Sequence, residues 1–398
     1  MFKSDQPITS HKEDILNRHS FSQSLGKAIL SYKDKNSVVI GLFGAWGSGK
    51  TSIVNMSLEY VAHASNSLPM GERPIVLRFN PWNFSDQNQL ISQFFKQLSS
   101  VLKHKDLGGI HFTGSNATFN TLWKQVAENL TLYRSYPRIV GETGGKDFIF
   151  AHRSADPLEL AAAIARGAFE YQGQKCSAAS RAYIPQSLWE SVKNHLLHLL
   201  SETRTGSERD FRNAVNAVID EPSYDRIMSY IDFARTSASC EIITGGKGDK
   251  SEGYFIEPTV IVVTDPHFRT MEEEIFGPVM SVFIYEDDKY AETLRLCDET
   301  SPYGLTGSIF SNDKYAMIQA CRALRYAAGN FYINDKPSGA LVGQQPFGGS
   351  RASGTNDKAG SYLNLTRWVS PRTIKETLIP ATDFKYPFMQ NTSLPHSE

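Results

Sequence analysis

Two short stretches of this sequence hold residue types that do chemistry. Gly44-Ala45-Trp46-Gly47-Ser48-Gly49-Lys50-Thr51 satisfies the phosphate-loop pattern GxxxxGK[ST]. Gly44, Gly47 and Gly49 let backbone N–H groups turn inward around phosphates, Lys50 supplies a point charge, and the Thr51 hydroxyl can ligate Mg²⁺. The residues therefore point to ATP with Mg²⁺. An ordinary Gly-rich turn is the alternative for so short a pattern. A β-rich run directly before it and an amphipathic helix directly after it favour the phosphate loop. The second stretch is "FEYQGQKCSAASRAYIP". Cys176 follows a Gly-containing turn and is set among Gln, Lys and Ser rather than in an apolar stripe. Such a loop can expose a thiol and lower its pKa with nearby N–H dipoles, which makes Cys176 a candidate nucleophile. Cys240, Cys297 and Cys321 read as core cysteines instead.

Positioning these residues requires an α/β architecture. Around the phosphate loop the pattern predicts helix 21–32, strand 38–43, helix 51–64, strand 75–79 and helix 87–101. Nucleotide hydrolysis also needs an acid at the end of an apolar strand. Asp220 and Glu221 sit where a helix begins, and Glu286 and Asp287 close a strand that belongs to the later pattern. Neither pair fits, so the nucleotide module reads as partial. After "KHKDLGG" the clearest strands are "RAYIP", "CEIIT", "VMSVFIY", "TGSIF" and "GNFYIND". Helices are predicted at 157–171, 186–203, 221–236, 288–298 and 312–328. Strand–helix–strand order implies a largely parallel sheet covered on both faces.

Bulk properties exclude several classes. At 398 residues with 40% hydrophobic and 21% charged residues, the chain has the make-up of a globular protein of two or three domains. A net charge of −1 gives no reason to expect nucleic acid or an anionic membrane as partner. Four dispersed cysteines without a CxxC pair fit a reducing compartment. The N-terminal residues read as neither signal nor transit peptide, so a cytoplasmic location is expected, with the mitochondrial matrix as the other possibility.

Two resemblances sharpen the reading. "SVVIGLFGAWGSGKTSIVNM" with "IVLRFNPWNFSDQNQLISQFF" resembles the amino-terminal part of the KAP family of P-loop NTPases, over about 10–103. "GETGGKDF", "GQKCSA", "EEIFGPV" and "GQQPFGGSRASGTNDKAG", in that order, resemble the aldehyde dehydrogenase superfamily over about 107–390. The nearest branch is pyrroline-5-carboxylate (glutamate semialdehyde) dehydrogenase. That resemblance implies NAD as cofactor and a small-molecule aldehyde as substrate. It also implies Cys176 as nucleophile and Glu142, 34 positions earlier, as general base. Gly114 and Ser115 would lie by the cofactor pyrophosphate, and Glu274 and Phe276 by the nicotinamide ribose. Ser177, Gly349 and Ser350 would grip the amino acid end of the substrate, with Ser350 departing from the alanine expected there. The implied divisions are a KAP-like fragment at 1–104, the end of a cofactor domain at 105–142, a catalytic domain at 143–370 and an extension at 371–398. Family members are oligomers, and the extension could contribute contacts between copies.

Asn83 in "NPWNF" imitates the oxyanion-stabilising asparagine of that superfamily, but it precedes Glu142 by only 59 positions where about a hundred are expected. It reads as part of the KAP-like strand. The leading expectation is therefore an NAD-dependent glutamate semialdehyde dehydrogenase impaired by loss of its amino-terminal cofactor fold. The other readings are a nucleotide-binding module with an inert dehydrogenase half, and a fused gene-model artefact without native activity.

Overall fold

The computed structural model describes residues 8–32, 50–68, 101–341 and 343–390. Gly44, Gly47 and Gly49, the strands predicted at 38–43 and 75–79, most of the helix predicted over 87–101, and Asn83 lie outside the described residues. The chain divides into two compact units, Met1–Leu107 with Gln125–Arg134 and Gly108–Lys124 with Ser135–Glu398.

In the smaller unit, α1 (His19–Ser31) packs on α2 (Lys50–Ser65), which begins one residue before the predicted start. Lys50 and Thr51 thus occupy the first turn of α2. A short segment is strapped onto α2 by side-chain bonds. Asn55 Nδ2 donates to the Ile8 carbonyl at 2.9 Å, and Glu59 accepts from Ser10 Oγ and from the His11 N–H, each at 2.8 Å. Near the end of the unit, Arg134 pairs with Asp106 at 3.0 Å, and its N–H donates to the Lys105 carbonyl at 2.8 Å.

The larger unit opens with β1 (Gly109–Thr113), α3 (Asn116–Glu128) and β2 (Arg138–Glu142). β1 and β2 pair in parallel as a two-stranded sheet, which brings Thr113 opposite Glu142. There follow β3 (Asp147–Ala151), α4 (Pro157–Phe169), β4 (Ala179–Pro185), α5 (Gln186–Glu202), α6 (Glu221–Arg235) and β5 (Cys240–Thr244). The run ends with β6 (Thr259–Val263), β7 (Val279–Tyr285), α7 (Tyr290–Glu299), β8 (Thr306–Phe310), α8 (Lys314–Ala323) and β9 (Asn330–Ile333). Seven strands form one sheet in the order β9-β8-β3-β4-β7-β6-β5. It is parallel throughout except at β5, which runs antiparallel to β6 on the edge.

Both faces are covered, as the strand–helix alternation predicts. One core packs Phe148, Phe150, Tyr183 and Ile309 against α6, α7 and α8, through residues such as Ile227, Ile231, Leu294 and Ala320. The other packs Ile149, Ala182, Ile184 and Val282 against α4 and α5, through Leu160, Ile164, Val192 and Leu196. Helix starts are encoded locally. Asp156, Asp220 and Asp313 each accept N–H bonds from the first turn of the following helix. Two of these helices also carry a proline in that turn.

α8 ends at Ala323, well short of the predicted 328, because Leu324 leaves helical geometry and caps back onto the Ala320 carbonyl. β3 and β6 escape the list of clear strands. Every residue of β3 is buried, so its sequence "DFIFA" shows no alternation to read.

Candidate active site

Cys176 lies in the connection between α4 and β4, after an unusual turn. Tyr171 (φ 56°), Gln172 (φ 57°) and Gly173 (φ 64°) are three successive left-handed residues. Ion pairs hold the two ends of that turn. Glu170 Oε2 accepts from Lys175 Nζ at 3.1 Å and from Lys336 Nζ at 2.8 Å. Gln174 Oε1 accepts the Ile219 N–H at 2.9 Å. The chain is thus fixed on both sides just before the thiol.

Glu142 ends β2, and the loop Ser350–Thr355 docks against it. The Thr355 N–H donates to the Gly141 carbonyl, and the Gly141 N–H donates to Thr355 Oγ1, both at 3.0 Å. Gly354 (φ 126°) bridges Glu142, and a side chain there would meet the Gly141 carbonyl oxygen at 2.1 Å. Burial pushes the Glu142 carboxyl up, and the Lys358 charge opposes this. Lys358 is itself held in place by donating to the carbonyls of Gly329 at 2.7 Å and Gly348 at 2.9 Å.

Between Glu142 and β3 runs Thr143-Gly144-Gly145-Lys146. The Gly145 N–H donates to Glu274 Oε1 at 2.9 Å. A Cβ on Gly145 would stand 2.3 Å from the Cys176 carbonyl oxygen and 2.5 Å from Asp147 Oδ2. This close approach is what brings the predicted nucleophile and the predicted base segment into one place. Glu274 is gathered there as well, with its carboxyl held up by burial.

The electrostatics contradict one expectation. The loop was expected to lower the pKa of Cys176. Its thiol is instead pushed up to about 12, first by burial and then by the charges of Asp147, Glu142 and Glu274. The bond from its own backbone N–H works in the lowering direction but is outweighed. A polar sequence neighbourhood does not guarantee exposure, because the fold tucks Cys176 between three acidic segments.

Other predicted residues fall around this centre. Ser177 is buried beside Cys176. Gly349 is buried, and a Cβ there would stand 2.3 Å from the Gly304 carbonyl oxygen, while Ser350 pairs with Gly304 in a short antiparallel ladder. Phe276 adopts a left-handed φ of 55° with its ring partly exposed. On the other side of Glu142, the Gly114 N–H donates to the Glu142 carbonyl at 3.1 Å. Ser115 stands at the start of α3, where its Oγ accepts from the Thr118 N–H. Lys50 and Thr51 belong to the other unit.

Sequence reasoning missed three buried groups: Lys146, Asp147 and Arg181. Arg181 donates from Nε to the Lys146 carbonyl at 2.8 Å and from Nη1 to Tyr183 and to the Cys297 carbonyl. Lys146 Nζ and Asp147 Oδ2 have no hydrogen-bond partner in the structure. The signal was visible in "GGKDFIF", where two adjacent charged side chains stand at the start of an otherwise apolar run. Among the described residues no cluster of three or more His, Cys, Asp or Glu could hold a metal. A cleft of about 840 Å³ lined by Thr205, Arg209, Lys247 and Phe255 includes neither Cys176 nor Glu142. The chemistry of the residues, not the size of a cavity, marks this site.

The family model described as the aldehyde dehydrogenase family matches residues 95–374. The chain belongs to the aldehyde dehydrogenase family. A model of the KAP family P-loop domain matches residues 18–111. Delta-1-pyrroline-5-carboxylate dehydrogenase of Dictyostelium discoideum, described as mitochondrial, is 52% identical over 346 residues, covering 86% of this chain and 60% of that protein. The protein of the same name from Homo sapiens is 53% identical over 292 residues, covering 73% of this chain and 52% of its own length. The chain thus spans about half the length of the curated relatives it matches. The crystal structure of the Mycobacterium tuberculosis delta-pyrroline-5-carboxylate dehydrogenase bound with NAD superposes with a TM-score of 0.69 at 50% identity, covering 74% of this chain and 54% of that one. The α/β aldehyde dehydrogenase fold is therefore present in the larger unit.

The raised thiol pKa makes a prediction. Thiolate forms only as pH climbs toward about 12, so alkylation by iodoacetamide should be slow near neutrality and accelerate with pH. Allowing for the greater nucleophilicity of a more basic thiolate, Cys176 should label at least about tenfold slower at pH 7.5 than a free cysteine peptide. Peptide mass spectrometry reads the rate at each cysteine. Cys176 labelling faster than the free peptide would contradict the partly buried, carboxylate-lined thiol.

Proposed function

We propose that the larger unit catalyses NAD-dependent oxidation of glutamate γ-semialdehyde to glutamate, with Cys176 as nucleophile and Glu142 as general base. The observation that carries this reading is the convergence of the Cys176 and Glu142 segments through Gly145, in a chain similar to relatives named for that activity. Cys176 as thiolate would add to the aldehyde carbon to form a thiohemiacetal. Burial makes Glu142 a stronger base than an exposed glutamate, which suits it to take up the thiol proton and later to activate water for hydrolysis of the acyl enzyme. Ser177, Gly349 and Ser350 would hold the amino acid end of the substrate.

The residues present fit part of an NAD site. Glu274 stands against Gly144 and Gly145, and with Phe276 it would hold the nicotinamide ribose. Gly114 and Ser115 precede the 13-residue helix α3, whose N-terminus suits the pyrophosphate. When bound, NAD supplies the hydride acceptor that turns the thiohemiacetal on Cys176 into a thioester. This chain's own residues hold the thiol, the base and the substrate around that event.

A second reading is specific to the smaller unit. The KAP P-loop match and the position of Lys50 and Thr51 at the start of α2 favour binding of ATP with Mg²⁺. The two readings are compatible, since they use different residues.

The same family reading proposes association of like chains through the C-terminal extension. Ile374, Leu378, Ile379 and Phe384 are all largely exposed there, an apolar surface suited to burial between copies. Light scattering should give a multiple of 44.4 kDa, and a monomer at micromolar concentration would contradict it. The relatives described as mitochondrial favour the mitochondrion over the cytoplasm, and subcellular fractionation checks this.

The central test is spectrophotometric. Wild type with NAD and glutamate semialdehyde should produce NADH, and Cys176→Ala should produce none. Absence of NADH from a folded wild type would overturn the dehydrogenase reading. Calorimetry with ATP–Mg²⁺ on wild type and Lys50→Ala tests the other unit, where binding should disappear in the variant.

A further inference from the structure

The reaction proposed above uses Cys176, Glu142 and Glu274, yet one buried acidic group close to the thiol remains without a task. Asp147 opens β3 and is 1% exposed. Its Oδ1 accepts the Thr306 N–H at 2.7 Å, while its Oδ2 has no hydrogen-bond partner. That free oxygen points at Gly145. It borders the space that a Gly145 Cβ would fill, as does the carbonyl oxygen of Cys176. The strand pairing is irregular at this point, with the β3–β4 register shifting between Asp147 and Phe148. Asp147, paired with Ala179, sits at this irregularity with its Oδ2 toward Gly145.

We propose that Asp147 is a positioning residue of this site, a buried carboxyl that restrains the charge state of Cys176 through its free oxygen beside Gly145. Its place explains the behaviour of the thiol. Among the charges that disfavour the thiolate, Asp147 comes first, ahead of Glu142 at the end of β2 and Glu274 in the loop before β7. The groups facing Asp147 itself include Glu274, Arg181 on β4, Lys146 and Tyr332 on β9. Burial outweighs the Thr306 bond and the Arg181 charge, and holds the Asp147 carboxyl up at about 8. Near neutrality Asp147 is thus mainly a neutral acid that tolerates a thiolate nearby. Above its pKa it becomes a carboxylate that opposes one.

This inference deepens the reading of Cys176 as the reactive thiol and rests on it. Alkylation reports the charge of the thiol whether or not the chain turns over, so the two can fail separately. The measurement is the pH–rate profile of Cys176 alkylation from pH 6 to 10, read by peptide mass spectrometry. In wild type the logarithm of the rate should rise with pH and flatten as Asp147 ionises. In Asp147→Asn, which keeps the shape and the bond from Thr306 but cannot ionise, the rise should continue without the bend. The two profiles should coincide below about pH 7 and differ about tenfold at pH 9.5, the effect of one pKa unit. Superimposable profiles for wild type and a folded Asp147→Asn would overturn the proposal.

If Asp147→Asn does not fold, wild type alone gives the answer. With ¹³C-carboxyl aspartate, NMR should show one aspartate titrating far above the ordinary range, and the bend in the Cys176 alkylation profile should begin at that same midpoint. A set of aspartates that all titrate in the ordinary range, or a bend displaced from the high midpoint, would overturn it.

Discussion

The site depends on backbone packed directly against backbone. Two glycines make this possible. At Gly145 a side chain would collide with the Cys176 carbonyl, and at Gly354 with the Gly141 carbonyl. Through these approaches the end of β2, the start of β3, the nucleophile loop and the Ser350–Thr355 loop share one small volume. No side-chain rearrangement could relieve a Cβ at either position, because the obstructing atom is main chain in both cases. At Gly354 the φ of 126° adds a second reason, as L side chains rarely adopt that region. The seven-stranded sheet, with an apolar core on each face, supplies the rigid frame that keeps those loops in register.

That packing has an electrostatic consequence. It places the thiol of Cys176 among Asp147, Glu142 and Glu274, with few donors left to favour its anion. The lysines of the region are engaged elsewhere. Lys175 and Lys336 pair with Glu170, and Lys358 donates to the carbonyls of Gly329 and Gly348. Lys146 is buried so deeply that its ammonium is brought down to about 7. The site is therefore built to keep the nucleophile protonated until a base acts on it. Glu142, with its own pKa raised by burial, is placed for that task.

Much of this was legible in the sequence, for identifiable reasons. The strands β4, β5, β7, β8 and β9 announced themselves by β-rich runs between turn residues, and the helices by apolar spacing. Parallel order followed from strand–helix alternation. What escaped were elements whose signals are non-local. β3 is buried on both faces and apolar after Asp147, so no period marks it. The thiol pKa was read in the wrong direction, since Gln, Lys and Ser as neighbours in sequence say nothing of Asp147 and Glu274, which reach Cys176 only through the fold. Asp147 itself looked like an ordinary charged residue at a strand start, and only its burial and its unpartnered oxygen single it out.

The account stands or falls on whether Cys176 and Glu142 work as a covalent pair. Intact-protein mass spectrometry of wild type, acid-quenched during turnover of glutamate semialdehyde with NAD, addresses this directly. A glutamyl thioester that peptide mapping places on Cys176 should appear, and Glu142→Gln, which lacks the base for both thiol activation and hydrolysis, should form it more slowly and lose it more slowly. No adduct on Cys176 in a wild type that forms NADH, or an adduct formed and hydrolysed at wild-type rates in Glu142→Gln, would contradict the account.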